Sequence, residues 1–200
     1  LVTVRNTHGV WLCHVPAEHW CTLSGEPWPA AGMAGIPSTT VRFDGAPMTI
    51  LGPRDAYLQR PGFWHGGAGI AAVWFGAAVA LAERMRPACS DGNRARLLGA
   101  ADLVLGPAAA LLREVAARID DAPQSAHRED VVRLRCVVER AATRVLDLAG
   151  RALGPAPMCL EDGHARRWAD LTVFLRQCHA DRDWQWLGEQ RAAEETAWAL

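Results

Sequence analysis

Two textures divide the chain. Up to about residue 60, short alternating or β-branched runs at 2–4, 10–15, 39–43 and 48–51 are separated by Gly, Pro and Asp, the pattern of short strands joined by turns. Beyond Pro61 the apolar positions recur at helical spacing and predict helices over 64–85, 93–119, 126–152, 161–180 and 184–199. In the third of these, Val131, Leu134, Val138, Ala141, Ala142, Val145 and Leu148 form a core stripe, while Arg133, Arg135, Glu139, Arg140 and Arg144 form the polar sides. Ser90-Asp91-Gly92 and Ser125 offer N-caps, and Gly154-Pro155-Ala156-Pro157 forbids continuation of the third helix. Long helices joined by short links make an antiparallel bundle. The predicted fold is therefore mainly α: a partial β-domain over 1–60, then an up-down, four-helix-type bundle over 61–200. No repeat of solenoid period is present.

Composition narrows the picture. Half of the 200 residues are apolar, enough for a real core. The 21 basic residues, all Arg, nearly cancel 22 acidic ones and are interspersed with them. Such a surface argues against a nucleic-acid or membrane partner. The six cysteines are scattered and no secretory signal precedes them, so the expected compartment is reducing and cytoplasmic. The longest apolar run, 66–81, is shorter than the roughly 20 residues that span a bilayer. The opening "LVTVRNTHGVWLCHV" is already strand material, so the chain reads as starting partway through a β-domain.

Several stretches carry candidate chemistry. "HGVWLCHVPAEHWC" (8–21) holds three His and two Cys, but has no C-x-x-C pair, and Cys13 and His14 would face opposite sides of a strand. Strand packing is the expected role there, and no metal site is expected. "GGAGIA" (66–71) lacks dinucleotide-fingerprint spacing and signals close packing. Trp64, Trp74, Trp168, Trp184 and Trp186 are packing residues or stacking surfaces for a ring. "RQCHADRD" (176–183) crowds a thiol, an imidazole and two carboxylates together. The plain reading makes Asp181 and Asp183 partners of Arg176 and Arg182.

A family resemblance sharpens these stretches. "RALGPAPMCLEDGHARRWADL" (151–171) resembles the C-terminal signature of the acyl-CoA dehydrogenase superfamily, in which a glycine turn is followed by Glu and then by an Arg-x-x-x-Asp pair. Gly154, Glu161, Arg166 and Asp170 fall on those positions. "GMAGIPSTTVRFDGA" (32–46) looks like the end of the family's middle β-domain, and "YLQRPGFWHGGAGIAAVWFGAAVALAERM" (57–85) like the first helix of its bundle. Arg151 stands where the family usually has a flavin-contacting Gln, and Pro155 and Pro157 replace later glycines.

The resemblance implies FAD as cofactor, with Arg151 and Gly154 near its phosphates, and Arg166 with Asp170 as the structural pair that fixes a turn. It implies a flavoprotein that oxidises the CH–CH bond of an acyl thioester and assembles as a homo-oligomer, a dimer or tetramer. The family's usual base, a glutamate, is replaced by Cys178, and His179 is the substitute expected to take the α-proton. Two other outcomes remain open: a non-catalytic bundle subunit or fragment of that fold, and a flavin-dependent monooxygenase on it.

Overall fold

The computed structural model describes residues 1–19, 21–22, 28–36 and 38–194. Strand β1 (Val2–Asn6) turns through Thr7-His8 into β2 (Gly9–His14), and the Asn6 side chain accepts the His8 N–H at 2.8 Å inside that turn. Gly9 is required where it stands. Its φ is +146°, and a Cβ would lie 2.5 Å from the Arg54 side chain. Strands β3 (Cys21–Thr22) and β4 (Val41–Arg42) pair with each other, and β5 (Thr49–Leu51) pairs antiparallel with β2, giving a sheet of order β1-β2-β5. Asp55 locks this hairpin to the next element. Its carboxylate accepts the Val10 N–H at 2.9 Å, and its own N–H donates to the Val10 carbonyl at 2.7 Å.

The helices follow: α1 (Ala56–Gln59), α2 (Pro61–Glu83), α3 (Gly92–Asp121), α4 (Arg128–Leu153), α5 (Ala156–Leu160), α6 (Asp162–Phe174) and α7 (Asp181–Ala193). Pro61 sits in the first turn of α2, where its missing N–H costs nothing. Asp91 caps α3, its carboxylate accepting the Arg94 N–H at 2.9 Å. Gly154 ends α4 with φ +71°. Ser125 is not the cap of α4, contrary to the sequence expectation. His127 occupies that position at φ 48°, and the Ser125 carbonyl is hydrogen-bonded to His65 instead.

α4 is the centre of the bundle, packed against both α2 and α3. Its seven expected core residues are all buried, and they meet Ala71, Trp74, Ala78 and Leu81 from α2 and Leu97, Ala101, Ala108 and Val115 from α3. Glu139, expected on the polar side, is buried. It is stabilised there by Arg176 (2.7 Å) and the Thr143 hydroxyl (3.0 Å). Mainly helical architecture with a small antiparallel β part is thus what the sequence pattern predicts.

The helix boundaries depart most from the prediction near the C-terminal end of the bundle. The helix expected over 161–180 stops at Phe174, continues as a 3₁₀ turn at Leu175–Gln177, and breaks at Cys178-His179-Ala180. The next helix starts at Asp181 rather than 184, and residues 195–200 of the predicted 184–199 segment lie outside the described residues. By length and composition alone, α2 and α3 are both long and apolar enough to cross a membrane, which the 16-residue estimate had excluded. In this fold each lays one stripe into the bundle core.

Candidate functional site

A loop of the β part meets the bundle at α6. The Trp28 indole N–H closes residues 28–32 on the Gly32 carbonyl at 3.0 Å, which brings the Gly32 backbone flat against α6. A Cβ at Gly32 would stand 2.2 Å from the Ala169 carbonyl oxygen, so no other residue fits. One residue on, the Met33 N–H donates to Asp170 Oδ1 at 2.5 Å, across 137 residues of sequence. Between this loop, α2 and α6 lies a cleft of about 470 Å³, within the range of ligand pockets. Its walls are mostly apolar, from Met33, Ile36, Val73 and Phe174, and Arg166, Arg167 and Asp170 supply its charges. A larger cleft of about 590 Å³, between α2 and α3, contains none of the residues singled out by the sequence signature.

Arg166 and Asp170 therefore line one cleft, but they do not pair with each other. The Arg166 guanidinium donates to Asp162 one turn earlier, at 2.9 Å, while Asp170 is taken by Met33. The partner of Asp170 in fixing the fold is a backbone amide, which no side-chain signature reveals. Glu161 stands at the N-terminus of α6 and is bound by Arg84 at 2.5 Å, which ties the end of α2 to that helix. His164, one turn into α6, is buried beside Trp168, and its Nδ1 has no hydrogen-bond partner. Burial, then the charge of nearby Arg84, pulls its imidazole below the ordinary value, so it sits neutral.

Arg151 and Gly154 lie at the end of α4. The Arg151 side chain is half exposed and, among the described residues, pairs with Asp147 at 3.8 Å, and the space where a Gly154 Cβ would stand is open. A guanidinium with unspent donors beside an unhindered glycine backbone fits one phosphate contact of a flavin dinucleotide. The remaining contacts of a pyrophosphate are not supplied by these two residues. His179 is exposed, in the turn between α6 and α7, and its carbonyl accepts the Arg182 N–H at 3.0 Å.

Cys178, its neighbour, points the other way. It is buried against Cys136 of α4 and lies 4.0 Å from Asp183. A hydrogen bond from the Cys136 thiol, followed by one from the Ala180 N–H, lowers Cys178 to about 7 against the opposing effect of burial. The same contact and burial push Cys136 far upward. The two thiols thus titrate as a coupled pair. Asp181 and Asp183 do not take Arg176, which reaches Glu139 instead.

Trp64, Trp74, Trp168, Trp184 and Trp186 are packing residues and cation partners. Trp74 is fully buried under Arg135, with its indole N–H unbonded, and Trp64 and Trp186 sandwich the Arg128 guanidinium at 4.9 and 4.1 Å. In the 8–21 stretch, Cys13 is buried and His14 exposed, on opposite faces of β2 as its period requires. The Cys21 side chain lies outside the described residues. Among the described residues, the cluster whose donors could meet on one ion is Cys136, Cys178 and Asp183, which the sequence reading missed because its members are up to 47 positions apart.

No protein-family model and no curated protein matches the sequence. Solved structures do. An acyl-CoA dehydrogenase from Slackia heliotrinireducens superposes with a TM-score of 0.71 at 19% identity, over 88% of this chain and 51% of its own. The fold is that of the acyl-CoA dehydrogenases. XiaF from Streptomyces sp., in complex with FADH2 and glycerol, gives 0.72 at 18% identity, over 96% and 58%. The dibenzothiophene monooxygenase TdsC from Paenibacillus sp. gives 0.58 at 20% identity, over 94% and 57%. The chain spans between half and three fifths of the length of each, as the C-terminal part of such a fold would.

Proposed function

We propose that this chain supplies the helical wall of an FAD-dependent oxidoreductase of the acyl-CoA dehydrogenase fold, acting on the CH–CH bond of an acyl thioester. The observation that carries the reading is the cleft on α6. The loop resembling the family's β-domain end is clamped there onto the helix that bears the Arg-x-x-x-Asp signature, and the clamp encloses an apolar space with two arginines at its edge. Arg151, with the open backbone at Gly154, would hold one flavin phosphate. Bound flavin would accept a hydride equivalent from the thioester β-carbon. His179 is the α-proton acceptor of this reading. It is solvent-facing here, so it must be covered by substrate or by a neighbouring subunit. Exposed Val73, Leu103 and Leu160 (56%, 76% and 81%) favour such an assembly of subunits. We place the protein in the cytoplasm, without a nucleic-acid or membrane partner.

One observation favours a second reading, a bundle subunit that does no chemistry of its own. Where the resemblance calls for a carboxylate base, Cys178 stands, turned into the protein. Fold likeness to TdsC keeps oxygenation as a third.

A single preparation separates them: incubate the purified chain with FAD, pass it through gel filtration and record the flavin absorbance of the protein peak. Co-eluting flavin that bleaches anaerobically with acyl thioesters, and fails to do so in His179→Ala, supports the first reading. Flavin that ignores thioesters but consumes oxygen once reduced supports the third. A colourless, folded protein peak leaves the second.

A further inference from the structure

Two segments far apart in sequence, the central helix α4 and the turn leading into α7, converge below the turn that follows α6. Cys136 comes from the middle of α4, Cys178 from the turn itself and Asp183 from the first turn of α7, and one donor atom from each lies within 4.8 Å of the others. We infer that these residues form a binding site for a thiophilic divalent cation of the zinc type, held by two thiolates and one carboxylate, with the fourth position left to water.

The donor set selects the ion. Two sulfurs exclude magnesium and calcium, which take oxygen ligands, whereas sulfur with one carboxylate suits zinc and its substitute cobalt. The spacing needs little adjustment. In a tetrahedral site with metal–sulfur bonds of about 2.3 Å and metal–oxygen bonds of about 2.0 Å, ligand atoms are about 3.5–3.8 Å apart, and Cys178 Sγ is already 4.0 Å from Asp183 Oδ2. Both sulfurs are nearly excluded from water, Cys136 at 6% and Cys178 at 8% exposure, while Asp183 is half-buried and leaves an entry side. On binding, each thiol gives up its proton and the ion takes the two sulfur lone pairs, so two protons leave for each ion bound. The three anionic ligands then exceed the ion by one negative charge. Arg135, whose guanidinium reaches the Gln177 carbonyl next to Cys178 at 3.4 Å, offsets it.

A disulfide would use the sulfurs but leave the carboxylate without a role; a cation uses all three. Its structural consequence is specific. α7 buries no residue of its own, and its tryptophans meet α4 arginines in cation–π contacts, Trp186 on Arg128 and Trp184 near Arg140. The ion would staple α7, and with it the His179 turn, to the central helix. None of this depends on flavin binding.

The test uses the full chain, stripped with a chelator and kept reduced, with Co²⁺ as the probe. We expect saturation at one ion per chain, thiolate-to-cobalt charge-transfer bands with tetrahedral visible bands, and their loss on adding Zn²⁺. Cys136→Ser and Cys178→Ser should abolish the bands. Asp183→Asn should weaken affinity by at least the 10–100-fold that a lost outer-shell partner costs, and Cys89→Ser and Cys159→Ser should change nothing. Because buried serines can unfold the chain, alkylation of the unmutated protein gives an independent readout: Zn²⁺ should protect Cys136 and Cys178 while Cys89 and Cys159 still react. Absent bands, bands that survive the two serine variants, or a Cys136–Cys178 disulfide that forms with no ion binding would each overturn the proposal.

Discussion

In the bundle, Trp74, Leu81, Leu134, Val138 and Leu148 are at most 1% exposed and belong to one continuous core. In the β part, Val10, Cys13 and Val15 are the buried apolar side chains among the described residues, while Ile36, Met48 and Ile50 are more than half exposed. Among the described residues, none before 61 enters the bundle core. The helices carry their own reason to fold, since each apolar stripe finds another within the chain. The strands have only one buried face, and they are held in place by a few backbone contacts, at Asp55 and at the loop on α6. Such segments rest on something larger than themselves, in keeping with a chain that covers about half of the structures it resembles.

The largest effect should come from the core. Trp74→Ala removes a fully buried indole and should destabilise the helical transition by about 3–5 kcal/mol in urea titration; a loss below ~1 kcal/mol would mean that the bundle does not depend on its own core. Next comes the clamp. Asp170→Ala leaves the Met33 N–H without its acceptor and should cost about 1–3 kcal/mol locally. Limited proteolysis within 28–47 should rise sharply while the helical melt shifts little. A helical melt that falls as far as in Trp74→Ala would merge the two regions into one cooperative unit.

A smaller effect depends on pH and belongs to the bundle alone. His164 is lowered from an ordinary 6.5 in the folded protein, so the unfolded chain binds a proton more readily. The stability contributed is full above pH 6.5 and is lost as pH falls through 6.5 toward the folded value. His164→Phe should flatten the decline in melting temperature between about pH 7 and about pH 5, and an unchanged slope would remove His164 from the account. Smallest of all, Arg166→Ala should alter stability by less than ~1 kcal/mol, because its pair with Asp162 is mostly exposed.

What could be read from the sequence follows the same division. The core stripe of α4 was legible because seven apolar positions repeat at helical period with no competing signal. The break after α6 was not. Ala180 adopts φ 34°, ψ −90° without being glycine, and Cys178 and His179 carry no breaker signal, so periodicity ran straight through. Glu139 looked like a surface residue because the Arg176 that permits its burial is 37 residues away. At the cleft, the family signature located Arg166 and Asp170, but the backbone amide that Asp170 binds leaves no mark in residue identity. Cys136 and Cys178 looked like isolated thiols for the same reason.

The loop on α6 also bears on the order in which the molecule assembles. The main interfaces of the bundle, α2 with α4 and α3 with α4, join helices one or two elements apart along the chain. The Met33–Asp170 contact closes a longer loop, of 137 residues, at an added entropic cost of about 0.6 kcal/mol per doubling of loop length, and can form only once α6 exists to receive it. During synthesis the loop at Met33 is made before α6, and it docks only after that helix has formed. Until α6 has been made, the β part lacks the clamp at Met33, with its strand edges unpaired.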